Sequence, residues 1–203
     1  MVHSAARTAL LLSALAILGS CALAGSRRSE LVDLSRGEWN AAAPVGEMRT
    51  HVPHRLTIHH TASLQDASRT TAEKLRALQR FSQTESPLGD GRMKPVWPDV
   101  PYHFYVGVDG TVAEAREARF VGDSNTPYDP TGHLLIVVEG NFEEEIPAAA
   151  QLRSLDELVL GIARRWEIPG DSIASHRDFA ATLCPGEALY RELPRLRRLV
   201  GDR

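Results

Sequence analysis

Beyond residue 34 the apolar positions follow two periods that take turns along the chain. Residues 55–60 (RLTIHH) alternate with period two and predict a strand. Residues 70–83 place Ala72, Leu75, Leu78 and Phe81 at helical spacing, with Lys74, Arg76 and Arg80 elsewhere, and predict a helix with that apolar face inward. Residues 82–99 carry Pro87, Gly89, Gly91, Pro95 and Pro98 and predict a loop. Residues 102–108 predict a strand, and Asp109-Gly110 predicts a two-residue turn into 111–115, a hairpin. Loop returns over 117–131. The run HLLIVVE at 133–139 is almost uninterrupted apolar sequence, as expected of a central strand covered on both faces. Residues 148–166 hold the longest helical pattern, with Leu152, Leu155, Leu158, Val159 and Ile162 inward. A short extended piece (172–176), a helix (186–193) and a further short helix opened by Pro194 complete the chain. Strands mixed with helices around one core predict an α/β fold.

The first 24 residues stand apart. His3 and Arg7 precede the run TALLLSALAIL, about 11 residues, which suits the roughly 7–15 of a secretory signal and falls short of the roughly 20 of a spanning helix. Two exits are legible. Leu18-Gly19-Ser20-Cys21 resembles a bacterial lipobox, with Cys21 lipidated as the first mature residue. Ala22-Leu23-Ala24 is an A-x-A site for ordinary cleavage. Both imply export. The expected organisation is a signal peptide over 1–20 (cleaved before Cys21, or else after Ala24), a tether over 21–34, and one folded domain over 35–203.

Composition narrows the function classes. The 203 residues hold 23 Lys+Arg and 26 Asp+Glu, a formal charge of −3, with 43% apolar and 24% charged residues. Such balance excludes a disordered chain and gives no cationic face for nucleic acid. Two cysteines cannot build a disulfide scaffold. Lipidation or cleavage removes Cys21 from the count, so Cys184 is the free thiol of the mature chain. A lone thiol in an oxidising compartment needs a reason to exist, and metal ligation is one.

The residues that could ligate are the His59-His60 pair, His176 and Cys184. Zinc takes imidazole nitrogen and thiolate sulfur, and a catalytic site keeps three protein ligands with one position for water. Strand alternation puts Leu56, Ile58 and His60 on one face and Thr57 and His59 on the other. The face with Leu56 and Ile58 reads as core, so His59 is the better ligand and His60 a packed, hydrogen-bonded neighbour. The same alternation lets only one of Tyr102 and His103 look into a given site.

Several stretches together resemble one family. WPDVPYHFYVGVDGTVAEAR (97–116) is similar to the YHF…DG segment of zinc-dependent N-acetylmuramoyl-L-alanine amidases, the relatives of phage-type amidases and peptidoglycan recognition proteins. LTIHHTAS (56–63) resembles the family's first ligand strand, and EGNFE (139–143) its central strand exit. SHRDFAATLCPG (175–186) resembles its carboxy-terminal ligand loop, and SRGEW (35–39) its domain start. The match covers residues 35–200.

The resemblance implies a mixed central β-sheet flanked by helices, with zinc in a surface groove. It implies His59, His176 and Cys184 as ligands and Tyr102 beside the metal. Thr182 stands where phage-type members carry lysine and recognition amidases often carry threonine. The implied reaction is hydrolysis of the amide between the lactyl group of N-acetylmuramic acid and L-Ala of the stem peptide, with peptidoglycan or muropeptide as substrate. The alternative is a non-catalytic peptidoglycan-binding module of the same fold. Tyr102 would orient water or bond the oxyanion, and Thr182 would add a hydroxyl donor. Asp178 would either hold a ligand imidazole or cap a turn. Glu114 reads as a solvated or structural charge rather than a catalytic base, and the Glu143-Glu144-Glu145 run and the basic stretch of Arg191, Arg195, Arg197 and Arg198 read as solvated charge. Arg92, Lys94 and Arg119 are candidates to meet a stem carboxylate. A monomer is expected, exported to the periplasm or cell envelope, anchored to the outer membrane if Cys21 is lipidated.

Overall fold

The computed structural model describes residue 1 and residues 31–89 and 91–201. The expected signal peptide, Cys21 and most of the expected tether therefore lie outside the described residues. Five strands form the main sheet: β1 (Arg55–His60), β4 (Phe104–Val106), β5 (Val112–Glu114), β6 (His133–Val138) and β7 (Ile173–Ser175), in the order β5-β4-β6-β1-β7. β1 runs parallel to both β6 and β7, β4 runs parallel to β6, and only β5 is antiparallel to its neighbour. The sheet is thus mixed. β2 (Ser86–Pro87) and β3 (Met93–Lys94) form a separate two-stranded ribbon inside the segment expected to be loop.

Helices cover both faces. α2 (Ala149–Arg165) and α4 (Leu193–Gly201) pack Leu155, Leu158, Val159, Ile162 and Leu196 onto Leu56, Ile58, Leu134, Ile136 and Val138. α1 (Thr71–Ser82) brings Leu75 onto the other face, with Trp39, Val100, Tyr105 and Val137. Short α3 (Glu187–Tyr190) precedes α4. β6 is buried at every position, in keeping with its continuous apolar sequence. α1 starts at a reciprocal cap: Glu73 N–H donates to Thr70 Oγ1 (3.3 Å), and Thr70 N–H donates to Glu73 Oε2 (2.8 Å). Among the described residues no helix is long and apolar enough to cross a membrane.

Three local expectations change. The hairpin turns over three residues, not two: Gly107 N–H donates to Thr111 O (2.9 Å), and Gly110 takes φ +89°, which favours glycine. The inward face of α1 is rotated from the one its apolar spacing suggests. Phe81 is 43% exposed, while Lys74 is buried and pairs with Glu139 at 2.6 Å. An ion pair with the residue that follows β6 outweighs the pattern there. The expected tether also ends early: Val32 is buried in the core, and Asp33 and Leu34 N–H groups both donate to Val112 O, so 31–34 belong to the folded unit at the β5 edge.

Candidate metal centre

The parallel strands β1, β6 and β7 end side by side, and in open α/β sheets ligands bind outside such carboxyl ends. His59 is the fifth residue of β1, and His176 follows β7 directly. The extended backbone sends Leu56 and Ile58 into the α2 face and His59 to the opposite side. His60 returns to the core side, its Nδ1 accepting from Phe142 N–H at 3.3 Å. His103 is likewise occupied: Nδ1 accepts from Leu135 N–H and Nε2–H donates to Phe120 O, both at 2.8 Å. Of Tyr102 and His103, Tyr102 is therefore the one that faces the site, with its ring 5.1 Å from that of His59.

A tight loop carries the other two candidates. Asp178 Oδ2 accepts from Ser175 N–H (2.7 Å) and Oγ–H (3.0 Å), and its Oδ1 accepts from Tyr190 O–H (3.0 Å). Of the two roles expected for Asp178, the turn cap is the one observed. Arg177 N–H donates to Cys184 O (2.9 Å) and Arg177 Nη2 to Leu183 O (2.7 Å), which folds the segment back so that residues eight apart meet. Arg177 also pairs with Glu143 and Glu187, both at 3.1 Å. Glu145 accepts from Gln65 and Asn141 N–H groups. Glu143 thus braces the loop, while Glu145 ties Gln65 to Asn141, a correction to the reading of that run as solvated. Gly186 takes φ +84°, and a Cβ there would lie 2.5 Å from the carbonyl carbon of Phe142.

The result is that one ligand atom each from His59, His176 and Cys184 lie within 4.8 Å of one another. His59 Nδ1 is 3.6 Å from Cys184 Sγ. Two ligands of one tetrahedral zinc, at about 2.3 Å for sulfur and about 2.0–2.1 Å for nitrogen, stand roughly 3.5–3.6 Å apart. The donor set therefore fits zinc in both chemistry and spacing. Burial, and then the neighbouring His176, press His59 well below its ordinary value, so it stays a neutral donor. Burial lowers His176 to about 4 and pushes the Cys184 thiol up to about 12. The His60 N–H, 3.4 Å from the sulfur, acts the other way and favours thiolate. Burial, then Cys184, raises the Tyr102 phenol above its usual range, so it remains an O–H donor. Thr182 Oγ1 accepts from Cys184 N–H at 3.2 Å, which leaves its own proton free to be donated.

The other candidates have partners of their own. Lys94 is fully buried, donating to Ser82 O (2.9 Å) and Pro95 O (2.6 Å), and has no access to a ligand. Arg119 pairs with Glu117 at 2.8 Å, and Arg92 donates to Asn125 O at 3.1 Å. Arg195 pairs with Asp156 and Glu192, and Arg197 donates to Ile173 O at 2.7 Å. Sequence reasoning missed three residues of the 117–131 loop. Thr126 Oγ1 lies 2.6 Å from His176 Nε2, Ser124 Oγ lies 3.4 Å from it, and the Tyr128 ring is 5.1 Å from the His176 ring. Hydroxyls in a loop carry no period, so no pattern in the sequence marks them.

The N-acetylmuramoyl-L-alanine amidase family profile matches residues 49–187. Peptidoglycan-recognition protein SD of Drosophila simulans is 33% identical over 185 residues, spanning 87% of this chain and 90% of the relative. The human N-acetylmuramoyl-L-alanine amidase is 30% identical over 141 residues, 66% of this chain but only 23% of that longer protein. Among solved structures, Drosophila peptidoglycan recognition protein SD superposes with a TM-score of 0.70 at 31% identity, covering 81% of this chain and 94% of that one. Peptidoglycan recognition protein LE, solved in complex with tracheal cytotoxin, a monomeric diaminopimelic acid-type peptidoglycan, gives 0.67 at 28% identity, covering 80% and 92%. With sheet order, loop and donor set in place, these matches establish that the chain belongs to the N-acetylmuramoyl-L-alanine amidase family, together with the peptidoglycan recognition proteins.

Proposed function

We propose that the protein is a zinc-dependent amidase that cleaves the bond between the lactyl group of N-acetylmuramic acid and L-Ala of the stem peptide. The observation that carries this is the meeting of His59, His176 and Cys184 at the carboxyl ends of β1 and β7, with Tyr102 beside them. When bound, zinc supplies a water acidified to about pKa 7 and polarises the scissile carbonyl. His59 and His176, held neutral by burial, present lone pairs to the ion, and the His60 N–H steadies the sulfur of Cys184. Tyr102, kept protonated, donates its O–H to the oxygen on which negative charge grows. Thr182 donates a second hydroxyl there, in place of the phage-type lysine. Donors of this kind are worth about 2.7–4 kcal/mol each when fully placed.

The relatives that are named for recognition motivate the second reading, a binding module that does not cleave. Purified muropeptides incubated with the protein separate the two. Release of stem peptide that a chelator abolishes and zinc restores supports the amidase. Retained binding without release supports the module, and release that survives chelation refutes the zinc mechanism. His59→Ala, His176→Ala and Cys184→Ser should each remove both metal and turnover; Cys184→Ser with stoichiometric zinc and full activity would overturn the ligand assignment. We also propose export, with a lipid anchor at Cys21 on a monomeric protein. Mass spectrometry of the mature amino terminus distinguishes a diacylglyceryl Cys21 from a free Gly25.

A further inference from the structure

A histidine ligand has two ring nitrogens, and the one not facing the ion decides which tautomer is present. In His176 the Nε2 is engaged: Thr126 Oγ1 lies 2.6 Å away and Ser124 Oγ 3.4 Å away. The two hydroxyl oxygens are 2.7 Å apart, and Thr126 N–H donates to Ser124 Oγ at 3.1 Å. Nδ1 is then the nitrogen left to share an ion with His59 and Cys184. For Nδ1 to offer a lone pair, Nε2 must carry the proton and need an acceptor. Thr126 Oγ1 is that acceptor, and its own O–H can donate a hydrogen bond to Ser124 Oγ.

The hydroxyl pair is itself anchored to the sheet. Arg116 is fully buried at the end of the hairpin, and its guanidinium donates to Val100 O (2.7 Å), Asp99 O (3.0 Å) and Val121 O. It pairs with Asp123 at 2.5 Å, the residue just before Ser124. The ring of His176 is further confined between Tyr128, at 5.1 Å, and His59, at 4.7 Å. Rigid support of this kind is what a metal ligand needs, because a rotated or wrongly protonated imidazole cannot bind.

We infer that Thr126, backed by Ser124, is the positioning residue that fixes the tautomer and orientation of His176 as a metal ligand. The inference rests on the zinc reading above. It assigns the 117–131 loop a part in holding the ion.

The test measures zinc affinity of the full chain by competition with a chromophoric chelator, and the visible absorption of the cobalt(II) form. Thr126→Val keeps the shape and removes the hydroxyl. Zinc affinity should fall about 10–100-fold, the usual effect of losing such a partner, with altered cobalt bands. Thr126→Ser should restore both to near wild type, which a role in packing alone would not do. Thr126→Val with wild-type affinity and unchanged cobalt bands overturns the inference. Should Thr126→Val fail to fold, Ser124→Ala takes its place: a few-fold loss of affinity supports the relay, and an unchanged value refutes it. Wild-type protein that takes up neither ion sinks the metal reading itself, a result distinct from failure of the Thr126 assignment.

Discussion

Lys74→Met probes the most costly charge arrangement near the site. Lys74 Nζ lies 2.6 Å from Glu139 Oε1, with the two side chains only 9% and 3% exposed. Lys74 Nζ also donates to Asp66 O, and Glu139 accepts from Asp66 N–H (3.1 Å) and Val108 N–H (3.2 Å). Methionine keeps the unbranched stem of lysine as far as Cε and removes the ammonium with its charge and donors. Glu139 would then be a buried carboxylate with two N–H partners and the Tyr105 hydroxyl but without its lysine. Removing one member of a buried pair costs about 3–5 kcal/mol. For a chain of this size each kcal/mol moves the melting temperature roughly 2–4 °C, so a drop of about 6–20 °C is expected. Urea unfolding followed by circular dichroism gives the free energy, and a double-mutant cycle apportions it. Glu139→Gln keeps an acceptor oxygen without the charge, so Lys74→Met/Glu139→Gln should recover most of the loss. A single Lys74→Met variant that costs under about 1 kcal/mol would refute the view that this pair, rather than the apolar spacing, sets the rotation of α1.

Three other perturbations follow from the same geometry. His103 is held neutral at about 3 by burial, and both its nitrogens are taken, so the unfolded chain binds a proton at about 6.5 that the folded one refuses. Stability should be full above about pH 6.5 and fall as the pH drops toward 3; His103 alone should account for about 2 kcal/mol between pH 7 and pH 5, at about 1.4 kcal/mol per unit, so a urea midpoint that holds level or rises over that interval would contradict the assignment. Gly186→Ala meets backbone at 2.5 Å from a residue already at φ +84°, and the thermal melt should show a loss of at least about 1–2 kcal/mol together with weaker zinc binding. Tyr102→Phe removes the proposed oxyanion donor but no ligand; turnover of muropeptide should fall about 10²–10³-fold with zinc affinity unchanged, and a variant with full turnover would dismiss the role.

The residues that depend on backbone period were readable in advance. RLTIHH told His59 from His60 because a pleated strand must send them to opposite faces, and HLLIVV announced a strand covered on both sides. The loop that joins His176 to Cys184 came instead from its likeness to a family, since spacing alone cannot show that Arg177 N–H will reach Cys184 O. What stayed hidden depends on contacts between distant segments. Lys74 looks like a solvent residue until Glu139, 65 positions on, is placed beneath it. Thr126 looks like any loop threonine until His176, 50 positions on, arrives beside it. Local sequence contains neither partner, so no local rule could find them.

The docking of Val32 and Leu34 along β5 has a geometric consequence for the proposed envelope location. β5 is one border of the sheet and β7, next to His176, is the other, with three strands between. At about 4.8 Å per strand spacing, the chain enters the fold roughly 19 Å across the sheet from the strand that leads into the metal ligands. A protein moored through its leader would be held at the β5 border, where Val112 lies level with Val106, Val138 and His60, so the site would stand beside its mooring, at the same end of the sheet, rather than opposite it.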